Sequence, residues 1–444
     1  MIQNSSYKIH PLQKITERGM QYYQLIRGIE AIGGAILLLF AAIALVWANS
    51  QYADSYAAFL HTQIAFSLGS IEIKTDLHFI INDVLMTLFF LAVGVEVRKE
   101  IHDGTLADLK SACLPVIAAC GGVIVPALIY LSISLSAGQA HQGWAIPTAT
   151  DIAFAVGILA LLGKRIPASA RIFLLTLAII DDIIAVLIIA LFYSSGLNAT
   201  GAIFVVMGLL LVFIMQRMGI FSMLPYVVPA CLIWYGLYIT GVHPSLAGVI
   251  LGLLTPVAVR PSSQHGFNGI KAAYEQIKKQ QDCVESSKKL QLANRELHSP
   301  VNRVSYAFSP WVAFLIMPLF ALANAGVNLT QINFDYTGVY SVITGISIAL
   351  ILGKPLGIFL ITWLCVRIGI AQFPATFNYR WLLLVSCLAG IGFTMSIFTA
   401  TLAFQLDPIL MDASKIGVLI GSIISALLGL AIGIYFLKTE PRKI

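Results

Sequence analysis

Charged residues are scarce in this chain. Only 11% of its 444 residues are Asp, Glu, Lys or Arg, whereas 58% are hydrophobic. Soluble domains carry about a quarter charged residues, so the composition excludes an ordinary soluble domain and indicates a polytopic membrane protein in contact with lipid. The net charge of +6 does not call for a nucleic-acid partner, because the basic residues follow a membrane topology.

Paired cysteines are also lacking. The six cysteines lie mostly inside apolar runs, and none forms a close Cys-x-x-Cys pair, so we predict neither a disulfide framework nor a zinc site, and we expect no cofactor. The first apolar run begins near residue 30 behind a long polar segment, and no clear small-x-small cleavage site follows it. It is typical of an uncleaved first span and not of a signal peptide.

Long apolar runs are what the sequence does contain. A helical span needs about 20 such residues, so we predict an all-α membrane protein with about twelve transmembrane helices in one domain, 1–444. The runs are continuous and do not alternate at every second residue, which favours a helical bundle over a β-barrel. The predicted spans are 30–48, 80–97, 112–136, 145–162, 170–193, 200–216, 221–240, 244–259, 309–326, 339–366, 381–404 and 414–437.

Lys and Arg are distributed unevenly between the two sides of these spans. With the N-terminus in the cytoplasm, 24 of the 27 fall in inside segments, while Lys74 and Lys415 lie outside and Lys354 lies within a span. The positive-inside rule therefore predicts that both termini are cytoplasmic. The inside segments include a hydrophilic loop at 260–308 that suits an anionic leaflet, as a solvated linker or as a regulatory segment.

Residues 63–74, predicted to lie outside the cell, alternate apolar and polar side chains on both sides of Gly69-Ser70. A two-residue loop with Gly first suits a type II′ hairpin. A lone hairpin is marginal in water, so we predict a partner for it and a homodimer formed through 63–74. A loosely ordered loop is the alternative.

Two predicted spans are interrupted, at 145–154 and at 389–396, where Pro, Thr and Gly weaken helical continuity. Each is the middle span of a three-span block, at about 112–193 and 339–437. Corresponding interruptions in two halves of a chain indicate an inverted repeat with a binding site near the membrane midplane.

Four ionisable residues inside the predicted spans, away from the span ends, matter most: Asp151, Asp181, Asp182 and Lys354. Such groups are expensive in a bilayer and are by default functional. Adjacent helical residues point about 100° apart, so Asp181 and Asp182 should have different roles. One is expected to meet Asp151 across the bundle and the other Lys354, in either assignment.

These residues suit competition between a cation and protons. Burial and a second carboxylate both favour the protonated acid, whereas a nearby cation favours the ionised form, and a facing pair titrates as a coupled unit. Ionised carboxylates are hard oxygen ligands, to which Thr150 would add a hydroxyl or a carbonyl. Competition for the same oxygens is the chemistry of antiport. The alternative is a buried ion-pair cluster that orients helices, although such clusters are seldom needed for stability.

Four further residues are candidates for a regulatory or structural role: Asp83, Glu96, Glu100 and His243. All four lie near the predicted ends of spans. Interfacial charges that reach the headgroup region are the alternative interpretation.

Together, these motifs resemble the hallmarks of the bacterial NhaA sodium/proton antiporters, a family that is itself an example of inverted-repeat transporters. The resemblance covers nearly the whole chain. Its segments are ATDIAF at 149–154, AIIDD at 178–182, GKPLG at 353–357, GIGFTMSIF at 390–398, IND at 81–83, GVEV at 94–97 and PLFALANAG at 318–326.

The resemblance implies exchange of Na⁺ or Li⁺ for H⁺ across the bacterial inner membrane, sodium export driven by the proton gradient, and two discontinuous, crossed helices. It assigns Asp151 to the charge balance of those helices, and Asp181 and Asp182 to Na⁺ and protons. Lys354 is then the balancing cation, for which we choose Asp181 as the partner and Asp182 as the principal ion ligand. One departure lies ahead of Pro310, where Ser305, Tyr306 and Ser309 replace the family's acidic and histidine residues, which argues against a family-type pH sensor there.

Two other classes of protein use buried carboxylates. An intramembrane aspartyl protease takes its pair from Gly-x-Gly-Asp contexts, which the sequence lacks, and it gives Lys354 no role. A sodium-coupled symporter needs an additional pocket for an organic substrate. Flux of Na⁺ and H⁺ without any organic solute separates the three.

Overall fold

The computed structural model describes residues 30–68, 71–135, 137–163, 165–194, 198–220, 222–257, 299–330, 333–374 and 376–439. These residues form helices and one two-stranded hairpin. The α-helices are α1 (Glu30–Ala48), α2 (Ala53–Leu60), α3 (Leu77–Asp103), α4 (Leu109–Ser134), α5 (Ile152–Leu161), α6 (Ala168–Phe192), α7 (Ala199–Arg217), α8 (Val227–Thr240), α9 (Leu246–Leu254), α10 (Pro300–Asn324), α11 (Val339–Ile368), α12 (Tyr379–Ala389), α13 (Phe393–Ala403) and α14 (Pro408–Thr439).

Shorter elements complete this list. The 3₁₀ helices are Thr105–Ala107, Gly138–Thr148 and Leu224–Tyr226. Three long helices contain a π-helical turn, in α3, α10 and α11 respectively: Ile80–Leu85, Val312–Ile316 and Ala349–Gly353.

Seven of the described helices are long and apolar enough to cross a membrane: α3, α4, α6, α7, α10, α11 and α14. Two bent pairs raise the number to nine, since Gly138–Thr148 meets α5 at 49° and α12 meets α13 at 44°. The apolar parts of α1 and α8 are shorter, and α9 has nine residues. Each of the twelve predicted stretches overlaps one of these helices or pairs, but not all of the helices reach the length of a span.

The start of α10 corrects one predicted boundary. The sequence placed 300–308 in the hydrophilic loop and began the span at 309, whereas the helix begins at Pro300. Ser299 caps it, since its Oγ accepts from the Asn302 N–H at 3.4 Å, and proline suits the first helical position. Polar residues in the first turns concealed this extension. The remainder of the predicted loop lies largely outside the described residues.

The predicted hairpin is confirmed as an antiparallel pair. Strand β1 (Gln63–Leu68) runs against β2 (Ile71–Asp76) with Gln63 opposite Asp76 and Leu68 opposite Ile71. Its turn, 69–70, lies outside the described residues. At the open end the Leu77 N–H donates to the Thr62 carbonyl at 3.2 Å, so the hairpin leads directly into α3.

Two three-helix blocks contain the helix breaks and lie where the sequence predicts an inverted repeat, which stays a prediction. One contains α4, the first bent pair and α6, and the other contains α11, the second bent pair and α14. The breaks contact each other, since the Asp151 N–H donates to the Ile391 carbonyl at 2.7 Å. Most residues of α12 and α13 are buried, as are residues 389–393 at the break between them, so this break lies in the interior.

Close contact between α4 and α11 depends on two glycines. A Cβ on Gly121 would collide with the carbonyl of Gly357, and a Cβ on Gly357 would collide with that of Gly121. Glycine at both positions lets the backbones meet. Gly357 lies almost one turn after Lys354, so this contact brings the lysine into the interior.

Candidate ion-binding site

Lys354 and Asp181 form a fully buried ion pair. Lys354 is the first residue after the π-turn of α11. Its Nζ lies 3.0 Å from Asp181 Oδ2 on α6, and neither side chain is exposed. This is the pairing chosen from the sequence. Lys354 Nζ also donates to the Thr148 carbonyl at 2.6 Å. Thr148 ends a 3₁₀ helix, where carbonyls lack intrahelical partners, so the ammonium offsets two sources of negative charge.

Thr150 lies in the first break and contacts two elements of the site. Its Oγ1 donates to Asp181 Oδ2 at 2.6 Å and lies 3.1 Å from the Ala389 carbonyl at the end of α12. The side chain is fully buried. The structure therefore places the predicted hydroxyl at the carboxylate of the ion pair.

Asp151 caps two helices at once. Its Oδ1 accepts from the Phe154 N–H of α5 at 3.0 Å, and its Oδ2 accepts from the Thr394 N–H of α13 at 3.0 Å and from the Thr394 hydroxyl. A carboxylate is favoured at helix N-termini because their amides and dipoles carry partial positive charge. Asp151 therefore balances charge at both breaks.

One expectation from the sequence concerns the partner of Asp151. One of the adjacent aspartates on α6 was expected to meet it across the bundle. No hydrogen bond joins Asp151 to Asp181 or Asp182 among the described residues, because the amides of two helix ends occupy its oxygens, but its charge acts on Asp182. Sequence reasoning missed Thr394 as its partner, although Thr394 lies in a motif already singled out. A hydroxyl residue just after a helix break was the available signal.

Asp182 differs from its neighbour. It is 1% exposed, and its Oδ1 has no hydrogen-bond partner among the described residues, as is also true of Asp181 Oδ1. The charges of Asp181, Glu96, Asp151 and Lys354 all act on it. A buried carboxylate oxygen without a donor is costly unless the group is protonated or meets a cation. Asp182 therefore has the chemistry required to alternate between the two.

The four additional candidates divide into two groups. Glu96 is exposed on α3, and its charge acts on Asp182. Glu100 Oε1 accepts from the Thr105 N–H at 2.8 Å and from the Thr105 hydroxyl at 2.6 Å, and it lies 3.4 Å from Thr176 Oγ1 on α6. It therefore links α3 to the helix of the two aspartates.

Asp83 and His243 lie elsewhere. Asp83 is in the π-turn of α3, where its carbonyl accepts from the Thr87 hydroxyl at 2.6 Å. His243 lies in the turn between α8 and α9, and its carbonyl accepts from the Leu246 N–H at 3.1 Å. Within the described ranges no hydrogen bond or ion pair joins either residue to the buried cluster.

A resident metal centre is not evident in the part of the chain that the structure describes. There, no group of three or more His, Cys, Asp and Glu side chains is arranged to hold a metal ion. The cluster instead offers two adjacent carboxylates, a hydroxyl and one ammonium group. Such a set is suited to cargo that binds and leaves.

Broken helices that meet around buried ionisable residues, inside a bundle of apolar helices, define a multi-pass membrane transporter. Residues 25–432 match the family described as Na⁺/H⁺ antiporter 1. This chain belongs to the NhaA family of Na⁺/H⁺ antiporters, which is among the known examples of this architecture. It is therefore a multi-pass protein of the inner membrane.

Several relatives align over nearly the whole chain. An NhaA antiporter of Janthinobacterium sp. (strain Marseille) is 52% identical and covers 97% of both chains. One of Pseudomonas putida is 51% identical over 96% of both, and one of Bartonella henselae is 46% identical over 97% of this chain and 96% of its own. These relatives are transporters and not enzymes in the catalytic sense.

One solved structure is also similar. It is a sodium proton antiporter from Methanocaldococcus jannaschii, which is 13% identical and covers 94% of this chain and 97% of its own. The TM-score is 0.43, a likeness too weak to define the fold.

Proposed function

We propose that this protein exchanges Na⁺ or Li⁺ for H⁺ across the inner membrane, exports sodium at the expense of the proton gradient, and thereby serves pH and sodium homeostasis. The observation that carries the proposal is the buried cluster in which Lys354 forms an ion pair with Asp181, while Asp182 Oδ1 has no hydrogen-bond donor among the described residues. The family to which the chain belongs supports the same activity.

Two carboxylates with unequal partners suit this exchange. Asp182 is the principal ligand for the cation, because no side-chain hydrogen bond or ion pair of the described residues engages its carboxylate, whereas Lys354 and Thr150 bind Asp181 Oδ2. Asp181 joins it when Lys354 is displaced, and the Thr150 hydroxyl, at 2.6 Å from Asp181, supplies a neutral oxygen. Protons and Na⁺ then compete for the same atoms, since both bind the ionised carboxylates.

Membrane architecture forms the second part of the proposal. We infer twelve spans, an inverted repeat of the blocks at 112–193 and 339–437, and two discontinuous helices that cross at their breaks. The hydrogen bond from the Asp151 N–H to the Ile391 carbonyl and the similar bends of the two pairs support the crossing. The distribution of Lys and Arg supports cytoplasmic termini.

Partners form the third part. We propose a homodimer through the hairpin at 63–74, because a two-stranded sheet is marginal by itself and the described edge residues, such as Gln63 and Ile64, are exposed. Membrane lipids surround the apolar helices. The exchange requires no cofactor and no nucleic acid.

Ion flux in proteoliposomes tests the activity. A pH gradient imposed on vesicles that contain the purified protein should dissipate when Na⁺ or Li⁺ is added without any organic solute. K⁺ in equal concentration serves as the control for ionic strength. A gradient that persists with both Na⁺ and Li⁺ would contradict the proposal, and dissipation that appears only with an added organic solute would indicate a symporter.

A further inference from the structure

Ser422 of the last helix, α14, contacts the broken helix α13 at its first residue. Its Oγ accepts from the Phe393 N–H at 3.0 Å, and Ser422 is 1% exposed. The first amides of a helix have no intrahelical acceptor. A hydroxyl from another helix therefore satisfies a buried amide at the second break.

The next residue of α13, Thr394, binds the carboxylate of Asp151 in the ion site. The Thr394 N–H and hydroxyl both donate to Asp151 Oδ2. Consecutive amides of α13 are thus bound by two different elements, Phe393 by Ser422 and Thr394 by Asp151. The start of α13 is fixed between them, so its position against Asp151 depends on the hydroxyl of α14.

A second contact links the same face of α14 to α11, the helix that carries Lys354. Ser425 follows Ser422 by three residues, a spacing that keeps both on one helical face, and its Oγ lies 3.5 Å from the Leu350 carbonyl. Leu350 belongs to the π-turn that directly precedes Lys354. The face of α14 therefore contacts both α13, which binds Asp151, and α11, which carries Lys354.

We propose that Ser422 is a positioning residue of the antiporter, which holds the first turn of α13 so that Thr394 binds Asp151 and the two breaks keep the geometry that binds the cation. This inference rests on the proposed exchange activity. Among the described residues no hydrogen bond joins Ser422 to the aspartates of α6 or to Lys354; it acts through α13.

Ser414 provides a matched control on the same helix. It is fully buried like Ser422, but its Oγ donates to the Met411 carbonyl of its own helix at 2.6 Å. Ser414→Ala therefore removes the same atom from the same helix without leaving an amide of another helix unpaired.

Kinetics of Na⁺-driven proton flux test the proposal. Ser422→Ala should raise the half-saturating Na⁺ concentration about three- to tenfold, the range for one lost hydrogen bond, with little change in the maximal rate. Ser422→Thr, which keeps the hydroxyl, should restore the wild-type value, and Ser414→Ala should leave it unchanged. If Ser422→Ala does not fold, Ser422→Cys carries the test, since the thiol is a weaker acceptor and should give an intermediate increase.

A double-mutant cycle separates positioning from general loosening of the bundle. If Ser422 acts through Thr394, the effects of Ser422→Ala and Thr394→Val on the half-saturating concentration should not add. Additive effects, or equal effects of Ser422→Ala and Ser414→Ala, would overturn the inference. Absence of flux in the wild-type protein would instead overturn the exchange activity.

Discussion

Asp181 and Asp182 are adjacent in the chain, yet their carboxylates have different surroundings. The Oδ1 atoms of both residues lack a donor among the described residues, but Lys354 and Thr150 bind Asp181 Oδ2, whereas no ion pair engages Asp182. The angle of about 100° between neighbouring helical side chains accounts for the difference. At this scale the site consists of one compensated carboxylate and one that is available for exchange.

Asp182→Asn tests that division. We expect flux at background level with folding intact, because the amide keeps the shape of the side chain but neither releases a proton nor carries charge. Na⁺-driven proton flux in proteoliposomes measures the effect, with Asp335→Asn on the exposed surface as the control. Wild-type flux in Asp182→Asn would exclude Asp182 as the principal ligand.

Lys354→Ala should reduce stability as well as transport. Removing one partner of a buried ion pair leaves an uncompensated charge, at a cost of about 3–5 kcal/mol in the free energy of unfolding. Transport persists in part only if the unpaired Asp181 stays protonated. Thermal melting in detergent measures the loss. Lys415→Ala is the comparison, because Lys415, itself 8% exposed, pairs at 3.2 Å with Asp412, whose side chain is 44% exposed, so a smaller loss is expected than for the fully buried pair. Equal melting temperatures for wild type and Lys354→Ala would argue against the ion pair.

At the scale of elements, the helix breaks are held by close backbone approach and by hydrogen bonds from distant helices. Gly390, at the end of α12, is where the second bent pair meets the π-turn of α11: a Cβ there would lie 2.5 Å from the Leu350 carbonyl. Only glycine allows this approach. The position of Lys354, four residues after Leu350, therefore depends on a residue in another helix.

Gly390→Ala should displace that π-turn. We expect a loss of stability of about 1–3 kcal/mol from overpacking and weaker transport, since the shift is passed to Lys354. Melting temperature and Na⁺-driven flux are the measurements. Gly157→Ala serves as the control, because a Cβ there meets its nearest neighbour at 3.6 Å, an ordinary contact. A Gly390→Ala variant with the wild-type melting temperature and flux would show that the π-turn can shift without displacing Lys354.

The junction of hairpin and α3 should depend on pH. Asp76 caps α3 through the Phe79 N–H and lies 3.0 Å from His61 Nδ1. Slight burial acts to raise the pKa of Asp76, but these hydrogen bonds and the nearby histidines lower it overall from 3.8. A lowered pKa means that the carboxylate stabilises the junction above its unfolded pKa, and that this contribution is lost as pH falls through the lower, folded value.

Hydrogen exchange of the Leu77 and Phe79 amides, followed from about pH 5 downwards through and below the unfolded pKa of about 3.9, measures this loss. His61→Ala should move it to higher pH, since the carboxylate loses a partner. His141→Ala, which removes an exposed histidine bonded to the Gly138 carbonyl, should leave it unchanged. A profile that is identical in wild type and His61→Ala would contradict the role of the pair.

At the scale of the whole molecule, the expected outcome is electrogenic exchange. Both oxygens of Asp151 bind helix amides, so a second proton must come from the unit of Asp181 and Lys354. If one Na⁺ displaces protons from Asp182 and from that unit, each cycle moves more positive charge as protons than as Na⁺. An inside-negative potential should then accelerate Na⁺ exit and proton entry.

A potential imposed with K⁺ and valinomycin across proteoliposomes checks this prediction. The same gradient without valinomycin is the control. Flux that does not respond to the potential would indicate one-for-one exchange and rule out the second proton.

Much of the site could be predicted from the sequence, because its signals are local. Ionisable residues inside apolar runs are rare enough to identify Asp151, Asp181, Asp182 and Lys354 without a structure. Interruptions in two corresponding spans likewise predicted where the helices break, and strict alternation predicted the hairpin.

Only the tertiary structure decided which of these groups meet. Periodicity fixes directions within one helix, whereas contacts between helices depend on how distant segments pack. The structure therefore assigned Lys354 to Asp181, engaged Asp151 with Thr394, and began α10 at Pro300 through its cap. Ser422, a polar residue on a helix with no other sign of function, gained a role only from its position beside Phe393.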